Sequence, residues 1–148
     1  MILLIILIGL LCGIFFVKAM QSRKQASPDF SSGSLPLCGA KPNCVCSLQN
    51  PDDQHCIEAI DLANHGVVDV ISAIESIGGK ITANDGTTIQ ATFTSAVFRF
   101  VDDLAVQIAD GKLDIRSSSR VGYSDIGVNR KRVERVSPDY SRNRRHLT

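Results

Sequence analysis

No charged residue occurs between Met1 and Val17, and nearly every side chain there is Ile, Leu, Phe or Val. Water cannot hold such a segment as free chain, and a short apolar run without polar alternation has no polar face to turn outwards. Crossing the ~30 Å hydrocarbon core of a bilayer takes roughly 20 apolar residues in a helix. Ala19 and Met20 bring the segment to that length if the stem of Lys18 lies along apolar surface with its ammonium outside. One transmembrane helix is therefore expected within residues 1–20, with its core at 2–17. A cleaved signal peptide would carry a basic start and a small-x-small cleavage site. Here Ile2 directly follows Met1 and no Ala-x-Ala follows the apolar run, so an uncleaved signal-anchor is expected. Cys12 follows Gly9-Leu10-Leu11, without the small residue that should directly precede a lipidated cysteine.

What remains is enough for one domain. Residues 21–36 are small and polar without periodicity and read as a linker. Residues 37–138 form the candidate domain, and residues 139–148 read as a basic, disordered tail. Charge is unevenly placed: residues 116–148 carry 9 Lys+Arg against 3 Asp+Glu, whereas residues 1–115 carry 7 against 12. Such asymmetry points to an anionic partner. Two signals disagree on the side of the membrane. Lys18, Arg23 and Lys24 follow the apolar run, which by the positive-inside rule places the domain in the cytoplasm. Cys38, Cys44, Cys46 and Cys56 are clustered in a Pro- and Asn-rich stretch, as in exported disulfide-bearing domains, and on that ground the exported (periplasmic) side is expected.

Hydrophobic spacing organises the domain. Val67, Val70, Ile71, Ile74 and Ile77 recur at three and four residues, a helical stripe that Gly78-Gly79 ends and Asp61 or Asn64 caps. The period then becomes two: Ile89, Ala91 and Phe93 alternate with Thr88, Gln90, Thr92 and Thr94. Asp85-Gly86 marks a hairpin from a strand at residues 80–84, and Asp110-Gly111 joins a strand at residues 98–109 to one carrying Leu113 and Ile115. Ser124 or Asp125 opens a last helix that runs to Val136 before Pro138. The expected fold is α+β: a helix, a four-stranded antiparallel meander and a C-terminal helix, preceded by the transmembrane helix.

A two-residue turn at Asp110-Gly111 fixes a register. Ala109 then faces Lys112, Gln107 faces Asp114, Ala105 faces Arg116 and Asp103 faces Ser118. Leu104, Val106 and Ile108 share the core face with Ser117, Ile115 and Leu113. The other face gathers Asp103, Arg116, Ser118 and Arg120. Two arginines beside one carboxylate leave donors to spare, which suits a carboxylate or phosphate guest; a surface ion-pair ladder would account for the same residues. Asp102 points to the core side, where a carboxylate requires an arginine, a backbone donor or a frayed strand end.

The segment from Arg116-Ser117-Ser118-Ser119-Arg120 through Gly122, Ser124-Asp125, Gly127 and Asn129-Arg130-Lys131-Arg132, together with Phe100-Val101-Asp102-Asp103 and Pro42-Asn43-Cys44-Val45, resembles the uncharacterised bacterial and plastid family catalogued as domain of unknown function 1499. The resemblance covers residues 37–136. Ser118 stands where that family usually has alanine, and Gly39 follows Cys38 where proline is common. It implies relatives, a bacterial source among them, without implying a reaction. Physically, amides opened by Ser124 or Asp125 at a helix start attract anions unless the capping carboxylate already takes them. Asn129 lies on the apolar side of its helix, where a buried amide would tie down the loop, and Arg130 can pair with Glu134.

Ser124, Asp125, Asn129 and Arg130 thus join Asp103, Arg116, Ser118 and Arg120 as candidate binding residues. Among the cysteines, Cys44 and Cys46 are too close to bond each other readily, so Cys38–Cys44 or a bond to Cys56 is expected; the spacing lacks the paired knuckles of zinc sites. No Ser-His-Asp set, phosphate loop or metal-binding histidine pair is present in the sequence. No cofactor, metal or nucleic acid is expected. The expected function is a membrane-tethered, non-catalytic binding or scaffolding domain for an anionic small molecule, lipid headgroup or protein partner. The alternative is a hydrolase acting on an ester or phosphoester through Asp102, Asp103, Asp125 and the arginines.

Overall fold

The computed structural model describes residues 1–28, 30, 33–51 and 54–136; the basic tail and Pro138 lie outside the described residues. Helix α1 spans Ile2–Lys24 and is long and apolar enough to cross a membrane. It runs past the expected end into the first linker residues, because nothing between Lys18 and Lys24 breaks a helix. Its last turns carry two fully buried side chains, Ala19 and Ser22, where the helix meets the domain.

The domain is built on an antiparallel sheet of β1 (Cys44–Cys46), β2 (Ile60–Asp61), β3 (Lys80–Asn84), β4 (Thr88–Thr94), β5 (Val101–Ala109) and β6 (Lys112–Ser119). The order is β1-β6-β5-β4-β3, with β2 also on β6. The meander of β3 to β6 is as expected, and every β5–β6 pair read from the sequence is present, from Ala109 opposite Lys112 to Asp103 opposite Ser118. The turn explains why. Asp110 and Gly111 have φ of +50° and +73°, the left-handed pair whose twist matches that of the flanking strands. β5 starts at Val101 rather than residue 98, since Ser95 closes a loop with Phe100: its amide donates to the Phe100 carbonyl at 2.9 Å and its Oγ accepts from the Phe100 amide at 2.9 Å.

β1 and β2 were not legible as strands. In the structure Cys44, Val45 and Cys46 pair with Ser118, Ser117 and Arg116, and Ile60 and Asp61 with Leu113 and Lys112. Asp61 is therefore a strand residue, not a helix cap. Helix α2 begins six residues later and spans Val67–Ser76, with Asp69 Oδ2 accepting from the Gly66 amide at 2.9 Å. Helix α3 spans Val128–Val136. Both helices lie on one face of the sheet, where Val70, Ile74, Val133 and Val136 meet Val45, Ile89, Leu104, Val106, Leu113 and Ile115 in the main core. The opposite face is crossed by the segment after α1. There Leu35, 4% exposed, covers Cys46 and Ala105, and Gln107 Nε2 donates to the Gly33 carbonyl at 2.6 Å. The expected linker is thus in part a strap on the sheet.

The turn from α2 into β3 is tight. A Cβ on Gly79 would lie 2.5 Å from Ile74 Cγ2 and 2.8 Å from Phe93 Cζ, both core side chains. Gly79→Ala is expected to lower stability by ~2–3 kcal/mol through overpacking. Gly78→Ala, at a φ of +90° in open space, should cost only ~1 kcal/mol or somewhat more. Urea titrations of the full chain in detergent micelles give both values, and equal losses would contradict the packing described.

Candidate functional site

On the strap-covered face, Asp103 and Arg120 form a two-pronged pair. Arg120 Nε donates to Asp103 Oδ2 at 2.8 Å and Nη2 to Oδ1 at 2.7 Å. Their side chains are only 4% and 10% exposed. The pair is built by register: Asp103 sits in β5 opposite Ser118, and Arg120 follows the end of β6. Its remaining donors reach the end of α1. Nη1 donates to the carbonyls of Gln25 at 2.6 Å and Ser22 at 3.3 Å, and Nη2 donates to Ser27 Oγ, which itself donates to Asp103 Oδ1 at 2.8 Å. A cation on the last carbonyls of a helix satisfies orphan acceptors and opposes the negative end of the helix dipole. Hydrogen bonding to Asp103 holds the Arg120 pKa above its ordinary value. Ser22 completes the joint by accepting the Val101 amide at 3.0 Å. Arg120 is thus committed to the protein itself, and the expected pair of free arginines becomes one.

Arg116 is the other. It lies between Cys46 of β1 and Ala105 of β5 and is 9% exposed. Nη1 donates to Ser118 Oγ at 2.6 Å, while Nε is buried with no hydrogen-bond partner among the described residues. Among the described residues no carboxylate lies within ion-pair distance of it. Burial pulls its pKa below the ordinary guanidinium value, an effect that Cys46 and Asp103 oppose. Arg116 lines a cavity of about 440 Å³ with Lys41, Asn43, Ser118, Ser119 and Arg120, roofed by Gln25, Ala26 and Pro28 at the exit of α1. The disulfide Cys38–Cys44, one of the expected pairings, closes the loop that carries Gly39 to Lys41 along the rim. Cys46 and Cys56 are free thiols despite facing one another across a backbone bridge, and burial raises the Cys46 pKa.

The other candidates lie elsewhere. Asn129 is fully buried on the helix-covered face. Its Oδ1 accepts from Ser117 Oγ at 2.6 Å and from Arg132 Nη1, and its Nδ2 donates to the Asn43 carbonyl at 3.0 Å and Ser119 Oγ at 3.1 Å. Every donor and acceptor position of the amide is filled, so it fastens α3 to β6 and to the segment entering β1. Asp102 meets Arg132 at 2.7 Å, the arginine its inward position required, and Arg132 also lies over the Phe93 ring. Asp125 takes the amides of Gly127 at 3.0 Å and Asn129 at 2.7 Å, and Ser124 Oγ that of Ile126. The cap therefore occupies the donors an anion would have used. Arg130 reaches the carbonyls of Gln54 and Cys56 rather than Glu134. Ser124, Asp125 and Arg130 line a separate, smaller hollow of about 230 Å³ with His55. The single junction expected from sequence is thus divided between two hollows and a buried tie.

Sequence reasoning missed Ser22, Gln25, Ser27 and Lys41. Only Asn43, inside Pro42-Asn43-Cys44-Val45, carried a local signal. The contacts of the others span up to 98 residues and leave no periodic trace.

Asp103→Ala leaves the Arg120 guanidinium desolvated without its counter-charge, and a loss of ~3–5 kcal/mol is expected. A denaturant melt of the full chain in micelles checks it. A loss under ~1 kcal/mol would mean a solvated pair.

A family model described as protein of unknown function, DUF1499, matches residues 34–139. No curated protein matches the chain, and no solved structure does. The match takes in the strap from Ser34, the whole sheet, both domain helices and the residues of the cavity from Gly39 to Arg120. This chain therefore belongs to the DUF1499 family of proteins of unknown function.

Proposed function

We propose that the protein is a membrane-tethered binding domain whose cavity takes a small anionic group, a carboxylate or phosphate, on Arg116. The observation that carries this reading is the buried Arg116 guanidinium. Among the described residues its Nε has no hydrogen-bond partner and no carboxylate pairs with it, and it lines a cavity with Lys41 on the rim. Burying an uncompensated charge is costly, and a structure that needed only packing would do better with an apolar side chain. Ser118 and Ser119 add hydroxyl donors, and the planar guanidinium suits a two-oxygen guest. A non-catalytic role is favoured because the carboxylates a hydrolase would use are engaged: Asp102 by Arg132, Asp103 by Arg120 and Asp125 by the α3 amides. The Cys38–Cys44 disulfide supports an exported, periplasmic position for the domain. Because Gln25 and Ala26 of the α1 exit roof the cavity, the anion is either a soluble molecule or a lipid headgroup.

Arg116→Met separates binding from folding. Without ligand it should leave stability unchanged or raise it by up to ~2 kcal/mol. Thermal melts of the full chain in neutral detergent, with inorganic phosphate or with phosphatidylglycerol added to the micelles, read the ligand. A dose-dependent rise in Tm in wild type that Arg116→Met abolishes is expected. A rise with phosphate identifies the soluble form, and a rise with phosphatidylglycerol alone identifies the headgroup. No rise with either, or a strongly destabilised Arg116→Met, would overturn the reading.

A further inference from the structure

The loop between β4 and β5, residues 95–100, reads Ser-Ala-Val-Phe-Arg-Phe and holds no acidic residue. Its apolar side chains do not join the domain core. Val97 is 81% exposed, and Phe98 stacks on Phe15 of α1 with ring centroids 5.1 Å apart. Phe100 meets the same Phe15 ring edge-on at 6.3 Å. Phe15 lies within the apolar stretch, three residues before Lys18, the first charge. At ~1.5 Å per residue that places it about 4.5 Å below the level of Lys18. Whatever medium surrounds Phe15 therefore surrounds Phe98.

The loop is also prepared for a medium poor in water. Exposed carbonyls at membrane depth need partners from the protein. Arg23 supplies them: Nη2 donates to the Phe98 carbonyl and Nε to the Arg99 carbonyl, each at 3.3 Å. Ser95 satisfies both the amide and the carbonyl of Phe100. Arg99 stands at φ +64°, a left-handed conformation that closes the tip between Phe98 and Phe100. Lys18, Arg23, Lys24 and Arg99 put four cations at this end of the molecule, complementary to anionic headgroups.

The geometry points to a second membrane contact: the loop of residues 95–100 inserts Val97, Phe98 and Phe100 into the headgroup–acyl boundary beside α1. A span alone leaves the molecule free to rotate and tilt about the α1 axis. A loop in the interface fixes which face of the sheet looks at the bilayer, and it sets the α1 exit and the cavity roof at headgroup level. The inference uses α1 as a membrane span and is independent of what the cavity binds.

The chain contains no tryptophan, so Val97→Trp makes a sole reporter at the loop tip. Thr87→Trp, exposed in the turn just before β4 and at the opposite end of that strand from the loop, serves as the reference. Each full chain is reconstituted in phosphatidylcholine–phosphatidylglycerol vesicles carrying shallow or deep nitroxide lipids, with flotation to show that it is membrane-bound. Shallow insertion of about 5–10 Å predicts blue-shifted Val97→Trp emission, quenched about twofold by the shallow nitroxide and less by the deep one. Thr87→Trp should stay unquenched. Water-like, unquenched Val97→Trp emission in protein that floats would overturn the inference while leaving the anchor intact. Protein that does not float would overturn both. A blue shift without nitroxide quenching that vanishes on dilution into excess lipid would mean that a second copy covers the loop, and would also overturn it.

Discussion

The Asp103–Arg120 pair joins two parts of the chain that sequence distance and composition would leave independent. One is a helix fit for a membrane, the other a small antiparallel sheet. Arg120 holds the Asp103 carboxylate with two donors and the last carbonyls of α1 with a third. A desolvated charge pair is weak evidence of net stability, yet breaking it is expensive, because either partner alone is an ion largely withdrawn from water. That asymmetry makes the pair a device for geometry more than for affinity. It fixes the helix exit against β5, and with the exit it fixes the roof of the cavity.

The same constraint separates the roles of two arginines that are near neighbours on one strand face. Arg120 has its counter-charge and is spent on architecture. Arg116, four residues earlier, has a serine hydroxyl and, among the described residues, an unpaired Nε. The helix-covered face repeats the first solution with Arg132, which pairs with Asp102 and shares Asn129 and Ser117. Of the three arginines, only Arg116 is buried, cavity-lining and without an ion-paired carboxylate among the described residues, which leaves it the one suited to a guest anion.

Much of this was written locally. Asp110-Gly111 dictated a turn, the turn dictated a register, and the register put Asp103, Arg116 and Ser118 on one face and Asp102 on the other with a need for an arginine. Alternation in β4 and the helical stripe of α2 were equally direct. The two short strands were not legible, because three residues such as Cys44-Val45-Cys46 carry no period and pair only once β6 exists. Nor could sequence decide which arginine Asp103 takes: Arg116 and Arg120 are equivalent by register, and the choice is made by Ser22, Gln25 and Ser27, which arrive from the other end of the chain. The α3 start lies later than expected for a local reason. Ser124 and Asp125 do act as cap residues, but Ile126 and Gly127 adopt positive φ before the helix begins.

The Asp103–Arg120 pair docks α1 onto the sheet, and hydrogen exchange reads that docking residue by residue. An undocked helix end in water frays and exchanges rapidly. With the full chain in lipid nanodiscs, amides of residues 21–25 and of Val101 should exchange slowly in the wild type. In Asp103→Asn they should exchange at least ~tenfold faster, while the amides of β6 from Leu113 to Ser117 stay protected. Rapid exchange at residues 21–25 in the wild type, or equal protection in the two proteins, would mean that the pair does not hold the helix on the sheet.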